Sequence, residues 1–353
     1  MIFTYLLLLV PLSVGLAYRH TPPLWVFVTA AAAIVPLADW MRRATEEMTK
    51  SAGSAVGGLL NVTFGNAAEL ILALFVLRSG KAHVVKAVIT GSIIGNSLLG
   101  LGLAILAGGW GRAKQVFPRA RAGLLGSLLI LSVTALLLPA FFDYTERRLS
   151  ATPNTGVLDE YLSLGVSVVS IVVYAGNLMY TLVTHRDVFA VEEKHERALW
   201  SLGRSLTILL GATAAVAVEA QLVSGALAAT AGGLGLSEFF LGVIVLPLAG
   251  NAAEFFAALA FARQDRMGLV MSIAVGSSIQ VALLTAPLLV LVSYILGRPM
   301  DLVFSSPLEL IAIAGVAFAV NSIAQDGETT WFEGLLLVAV YALFALAFFF
   351  VTQ

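Results

Sequence analysis

The pentapeptide Gly-Asn-Ala-Ala-Glu occupies residues 65–69 and recurs letter for letter at residues 250–254. The two copies are 185 residues apart, and at this same spacing Gly91 corresponds to Gly276. The correspondence continues without a gap through two apolar segments and the charged turn between them. This register predicts an internal duplication, an arrangement that is typical of many secondary transporters.

The composition indicates that most of the chain is surrounded by lipid and not by water. Of its 353 residues, 59% are hydrophobic and 12% are charged, and the mean hydropathy is +0.95. Soluble domains carry about a quarter charged residues, so this chain belongs in a lipid bilayer and a soluble enzyme is excluded. A formal net charge of −1 offers no basic surface for nucleic acid, and the absence of cysteine excludes disulfides and thiolate metal ligands.

Eleven apolar stretches are long enough to cross a bilayer as helices. They predict an all-α polytopic membrane protein, a single transmembrane transport domain over 1–353. The stretches run over residues 2–18, 24–44, 53–77, 83–109, 120–141, 158–184, 203–229, 236–262, 267–296, 303–323 and 331–351. We divide the chain into an extra N-terminal helix at 1–22, a first repeat at 24–184, a short central linker at 185–202 and a second repeat at 203–351. The linker is nearly neutral and reads as a short amphipathic helix or a solvated connection.

The positions of lysine and arginine predict the orientation. Thirteen of the twenty fall on the side of the amino terminus and seven on the other side. By the positive-inside rule the amino terminus is cytoplasmic and the carboxyl terminus lies outside. Each repeat holds five spans, an odd number, so the two repeats are inverted relative to each other and the two pentapeptides meet near the middle of the membrane.

Each pentapeptide places a glutamate in the middle of an apolar span, where burying a charge in the membrane is unfavourable. A carboxylate in the middle of a span costs at least about 2.5–3.5 kcal/mol to insert, so Glu69 and Glu254 require compensation. Asn66 and Asn251 lie three residues earlier, on the same helix face as each acid. Helix breaks are expected at the pentapeptide glycines, Gly65 and Gly250, and breaks expose backbone carbonyls that bind cations.

The span that follows each pentapeptide supplies more oxygen ligands. Ser92 and Asn96 share a face in the first repeat, and Ser277 and Gln280 share one in the second. A set of hard oxygens without sulfur or imidazole suits Ca²⁺ better than Zn²⁺ or Cu²⁺, and Mn²⁺ and Mg²⁺ stay open. For any one of these amides or hydroxyls, a purely structural hydrogen bond between helices is an equally good interpretation.

The two acids also account for exchange. Two glutamates hold one Ca²⁺ or two protons at nearly the same net charge, whereas the empty, doubly ionised site is expensive. The chain has no phosphate-binding Gly-x-x-x-x-Gly-Lys-Ser/Thr loop, and its polar connections leave no room for a nucleotide-binding domain. Another ion must therefore drive transport, without a nucleotide and without a bound cofactor.

Residues 56–71 and 242–254 resemble the two signature motifs of the cation/proton exchangers, a family of the Ca²⁺:cation antiporter superfamily. The resemblance covers nearly the whole chain. It implies eleven spans, a cytoplasmic amino terminus and Glu69 and Glu254 as central Ca²⁺ ligands. It also implies that Glu46 and Glu219 are acids of the proton or access path.

The counter-ion follows from a detail of the same motifs. Sodium/calcium exchangers carry a serine and a proline just before the repeated glutamate, and both pentapeptides here carry two alanines. The prediction is therefore a Ca²⁺/H⁺ antiporter in a lipid bilayer, in a prokaryotic inner membrane. A Na⁺- or K⁺-coupled divalent exchanger and a cation channel are the alternatives, and a homo-oligomer stays open.

Overall fold

The computed structural model of the protein describes residues 2–52, 64–149, 155–184, 198–304 and 306–351. These residues are almost entirely helical, as the composition predicts. The helices in chain order are α1 Ile2–Leu6, α2 Leu9–Tyr18, α3 Pro23–Ala52, α4 Ala67–Arg78, α5 Ala82–Gly109, α6 Arg119–Leu149, α7 Thr155–Met179, α8 Leu202–Leu234, α9 Glu238–Gly250, α10 Ala252–Arg263, α11 Met267–Ile295, α12 Pro307–Asp326 and α13 Trp331–Phe349.

Helices able to cross a bilayer account for most of the eleven predicted spans. Within the described ranges, eight helices are long and apolar enough, and α9 with α10 forms a ninth, bent pair. The first predicted span corresponds to α1 and α2, whose apolar helical stretch, Thr4–Tyr18, is shorter than the other eight. The third is described only from residue 64 onward, where α4 has 12 residues. The membrane-protein class is confirmed, and the count of eleven stays a prediction.

The predicted helix break in the second pentapeptide is confirmed. The axes of α9 and α10 differ by 55°, and the break falls at Asn251. Pro247 lies in the last turn before it, and the backbone N–H of Asn251 still donates to the Pro247 carbonyl at 2.9 Å. Gly250 and Pro247 together make this the weakest point of an otherwise continuous apolar segment.

Local backbone geometry recurs between the two halves of the chain. Asn66 has φ −109° and ψ 23°, and Asn251 has φ −100° and ψ 8°. The turns before α5 and α11 match as well, with φ −101° and ψ 56° at Lys81 and φ −99° and ψ 54° at Arg266. Both helices contain a π-helical turn at the corresponding place, Gly95–Gly100 in α5 and Val281–Thr285 in α11. These similarities support the proposed duplication.

Helices α5 and α9 cross at unusually close range because a glycine faces the contact on each side. A Cβ on Gly91 would lie 2.0 Å from the Val243 carbonyl oxygen, and one on Gly242 would lie 2.9 Å from the Val84 side chain. Small residues let helix backbones approach in this way inside a membrane. The crossing brings the polar face of α5 beside the break between α9 and α10.

The remaining connections are short and well capped. Ser306 and Thr330 each form a capping box with the glutamate three residues on. Residues Gln115–Val116 pair antiparallel with Glu328–Thr329, which joins the loop after α5 to the loop before α13. Most of the central linker, residues 185–197, lies outside the described residues, so its predicted amphipathic helix stays a prediction.

Candidate functional site

Both repeated glutamates stand in the first turn of a helix that begins after the pentapeptide asparagine. Glu69 lies in the first turn of α4 and Glu254 in the first turn of α10. The amino-terminal end of a helix carries a partial positive charge, which stabilises an ionised carboxylate there. Glu69 is 2% exposed, and the two carboxyl groups lie close enough to interact electrostatically.

Asn251 bridges the two halves of the molecule. Its side-chain nitrogen donates to Glu69 Oε1 at 3.1 Å and lies 3.4 Å from Ser92 Oγ and 3.1 Å from the Pro247 carbonyl. Its side-chain oxygen accepts from Asn96 Nδ2 at 3.3 Å. Four of the predicted ligands therefore form one buried hydrogen-bonded cluster, which we call the Glu69 cluster: Asn251, Glu69, Ser92 and Asn96.

Several buried polar atoms around this cluster have no hydrogen-bond partner within the described part of the chain. They are Glu69 Oε2, Glu254 Oε2, Asn96 Oδ1 and Asn66 Nδ2. A buried polar atom without a partner costs about 1–3 kcal/mol, and more when it is charged. Three of the four are oxygens, the atoms that a hard cation or a proton would satisfy.

The two halves of the site differ, although their pentapeptides are identical. Asn251 of the second half donates a hydrogen bond to Glu69 of the first half. In a symmetric site, Asn66 of the first half would donate to Glu254 of the second half in the same way. In the structure neither the Asn66 amide nitrogen nor Glu254 Oε2 has a hydrogen-bond partner among the described residues, and Glu254 is only half-buried. Among the described residues, Glu69 is therefore held by more hydrogen bonds than Glu254.

The two predicted glycines lie next to the acids. Gly250 packs on Glu69, since a Cβ added there would sit 3.6 Å from the Glu69 Cβ. Gly65 is half-buried in the turn before α4. Ser277 and Gln280 lie half-buried on α11. The neighbouring Ser278 makes the contact with α5 instead, with its hydroxyl 2.7 Å from that of Ser97.

The two accessory acids have very different surroundings. Glu219 on α8 is fully buried and accepts a hydrogen bond from Ser13 of α2 on both carboxylate oxygens, at 2.8 Å each. Glu46 near the end of α3 is 49% exposed at its side chain and pairs with Arg42. The hydrogen bonds of Glu219 and the ion pair of Glu46 lie outside the Glu69 cluster. The two acids correspond in sequence, but their environments differ.

A charged group that the sequence analysis did not single out lies beside Glu254. Asp39 on α3 is 3% exposed and forms ion pairs with Arg42 at 2.9 Å and Arg43 at 2.7 Å. Asp39 and Arg42 are both close enough to Glu254 to interact with it electrostatically. The available signal was an aspartate followed by two arginines at the end of an apolar stretch, which we interpreted only as a topology marker.

Carboxylates and imidazoles alone do not make a metal site here. Among the described residues, no group of three or more histidine, cysteine, aspartate and glutamate side chains is placed to hold an ion. Any cation bound between Glu69 and Glu254 would therefore take further oxygens from amides, hydroxyls and backbone carbonyls, which is a ligand set that Ca²⁺ accepts.

Comparison with known proteins places the fold and the pentapeptides in a family. Residues 22–183 and 204–350 match the family model described as "Sodium/calcium exchanger protein". The chain belongs to the sodium/calcium exchanger protein family. Both matched segments include one pentapeptide, so family membership rests on both halves of the chain.

Members of the sodium/calcium exchanger protein family named for proton exchange are among the similar proteins. The chain is 42% identical to the Ca²⁺/H⁺ antiporter of Aphanothece halophytica over 99% of this chain and 96% of that protein. It is 38% identical to the Ca²⁺/H⁺ antiporter ChaA of Bacillus subtilis over 96% of each chain. The resemblance predicted from residues 56–71 and 242–254 is confirmed by these relatives.

The fold matches a solved member as well. The structure of native YfkE superposes with a TM-score of 0.86 at 34% identity, and the match covers 99% of this chain and 100% of that chain. The agreement extends through both halves of the chain. The arrangement of helices around the Glu69 cluster is therefore that of a membrane exchanger.

Proposed function

We propose that the protein exchanges Ca²⁺ for H⁺ across a membrane. The observation that carries the proposal is the pair of acids Glu69 and Glu254, which stand in the first turns of two helices and interact electrostatically. Glu69 is also joined to the other half of the chain through Asn251. Both acids keep one buried oxygen without a hydrogen-bond partner in the described residues. The names of the relatives, Ca²⁺/H⁺ antiporters, agree with this chemistry.

The exchange step follows from charge. With both acids ionised and no cation, the site would hold two negative charges in a low-dielectric interior, which is strongly unfavourable. One Ca²⁺ or two protons each reduce that charge to zero. If only these neutral forms pass between the two access states, every Ca²⁺ that moves one way is matched by protons that move the other way.

The ligands of Ca²⁺ in this proposal come from both repeats. Glu69, Ser92 and Asn96 belong to the first, and Glu254 and Asn251 to the second. Further oxygen ligands are proposed by sequence correspondence, namely Asn66, Ser277, Gln280 and the backbone at Gly65 and Gly250. A site shared by two repeats opens and closes when one repeat moves against the other. The unequal hydrogen bonding of Glu69 and Glu254 among the described residues supports this mode of movement.

Glu46 and Glu219 are proposed to relay protons or to control access. Glu219 is a buried acid held by a single serine hydroxyl, which suits a group that gains and loses a proton. Glu46 is exposed enough to meet water and pairs with Arg42, which also lies near Glu254. Arg42 therefore interacts with both Glu46 and Glu254, and this shared partner supports an access role for Glu46.

Transport in liposomes tests the counter-ion. Purified protein is reconstituted, and uptake of radiolabelled Ca²⁺ is compared under an imposed pH gradient and an imposed sodium gradient. We expect uptake with the pH gradient alone. Uptake that requires sodium would overturn proton exchange, and Ca²⁺ flux that needs no counter-ion would show a channel instead.

The proposed orientation has its own test, made simple by the absence of cysteine in the chain. His83 is exposed at the start of α5 and Gln264 is exposed after α10, on opposite predicted sides. We expect a membrane-impermeant maleimide to label His83→Cys in intact cells and Gln264→Cys only after permeabilisation. The reverse pattern would place the amino terminus outside.

A further inference from the structure

A groove of about 530 Å³ lies between α5 and α10, outside the Glu69 cluster. We propose that it binds one anionic phospholipid, with an acyl chain in the groove and the headgroup at its mouth. We call it the α5–α10 groove. It is lined by Leu103, Leu106, Ala107, Trp110, Leu259 and Arg263.

The walls of the groove are suited to a hydrocarbon chain. Three leucines and one alanine supply them, and among the described lining residues Arg263 alone is charged. The volume falls in the range of about 300–1,000 Å³ in which proteins bind organic ligands. The outer surfaces of membrane helices face lipid. The acyl chains of the bilayer are therefore the apolar molecules present at the highest concentration beside the groove.

The mouth of the groove carries the positive charge of Arg263. Arg263 is exposed at the end of α10, and within the described residues no carboxylate pairs with it. Its neighbours are engaged, since Arg112 lies 3.3 Å from Asp265 and Arg266 lies over the Phe261 ring at 5.1 Å. An anionic headgroup is the partner that complements Arg263.

Trp110 locates the mouth at the membrane surface. It follows the last residue of α5 and is 78% exposed. Tryptophan is enriched where the bilayer meets water, and basic pockets between transmembrane helices bind anionic headgroups. An apolar groove that ends at an exposed tryptophan and an arginine without a carboxylate partner among the described residues matches the two ends of a phospholipid.

The position of the groove links it to the transport machinery. One wall is α10, which begins with the turn of Glu254, and the other is the part of α5 that follows Asn96. A lipid in the groove would lie against both helices, which also pack directly on each other where Gly108 meets Ala262. Lipid binding itself does not depend on which ions the protein exchanges, so the two proposals fail independently.

Native mass spectrometry of the full-length protein tests the groove. The protein in detergent is supplied with equal amounts of dioleoylphosphatidylglycerol and dioleoylphosphatidylcholine, and the retained lipids are counted. We expect one retained phosphatidylglycerol in the parent protein. Arg263→Gln should lower the ratio of retained phosphatidylglycerol to phosphatidylcholine about fivefold, the effect of one basic group near a lipid surface.

Two further variants make the result specific. Arg266→Gln removes an equal charge from the turn just after α10 but not from the groove, so the lipid ratio should stay within about twofold of the parent. Ala107→Phe fills the groove and should abolish retention of either lipid. Equal retention of both lipids by the parent, or retention unchanged by Arg263→Gln and Ala107→Phe, would overturn the proposal.

Discussion

Glu69→Gln should abolish Ca²⁺/H⁺ exchange and leave the protein folded. Glutamine has nearly the shape of glutamate and its carbonyl oxygen still accepts from Asn251, so the contact at 3.1 Å survives. The substitution removes the negative charge of Glu69. A Ca²⁺ in the site would then keep one positive charge that no carboxylate neutralises. Removing one member of a buried charge pair costs about 3–5 kcal/mol, which corresponds to at least a ~100-fold loss of transport.

The control must remove a glutamate charge away from the site. Glu238 at the start of α9 pairs with Lys81 at 2.7 Å and is partly exposed, so Glu238→Gln should transport Ca²⁺ at close to the parent rate. Glu254→Gln should fail like Glu69→Gln. All variants are reconstituted and assayed for pH-driven uptake of radiolabelled Ca²⁺. Near-normal uptake by either site variant would refute the paired-acid mechanism.

The sequence predicted the helical architecture because a bilayer leaves the backbone little choice. Without water, each spanning segment must satisfy its own N–H and C=O groups, so apolar length predicts a helix directly. The break at Asn251 was also predictable, since Gly250 and Pro247 adjoin it. Segment lengths were less predictable: α3 extends to Ala52, eight residues beyond the predicted end at residue 44, because charged residues continue the helix outside the apolar stretch.

Contacts within the site were only partly predictable. The duplication indicated which residues correspond, but not that Asn251 of one half would donate to Glu69 of the other. The serine of α11 that contacts α5 is Ser278 and not Ser277, and one residue along a helix turns the side chain by about 100°. Which side chain of a helix faces its neighbour depends on how the two helices pack. A single sequence does not predict that packing.

The difference between the two halves was beyond any sequence argument. Identical pentapeptides predict equivalent sites, yet Glu69 is held by Asn251 whereas Glu254 Oε2 has no partner among the described residues. An exchanger must populate unlike states of two alike halves, so a single structure of it is asymmetric. Asp39 and Arg42 add to the difference, since they lie near Glu254.

The closest helix crossing provides the second large prediction. Gly91→Ala should destabilise the protein severely, because the new Cβ would lie 2.0 Å from the Val243 carbonyl oxygen and 2.6 Å from Pro247. Both neighbours belong to α9, whose backbone would have to move, and overpacking of this kind costs about 3 kcal/mol or more. We expect the thermal transition of the purified protein to fall by about 5–10 °C.

The duplication supplies the matched control for this substitution. Gly276 occupies the position that corresponds to Gly91, 185 residues later, but among the described residues a Cβ there would meet nothing within 4 Å. Gly276→Ala also removes a flexible glycine from a helix, so its thermal transition should stay equal to the parent or rise slightly. Equal transitions for the two variants would show that α5 and α9 do not cross as closely as described. Loss of stability only in Gly91→Ala would establish that the close approach of α9 to Gly91, and not the added methyl group itself, causes the effect.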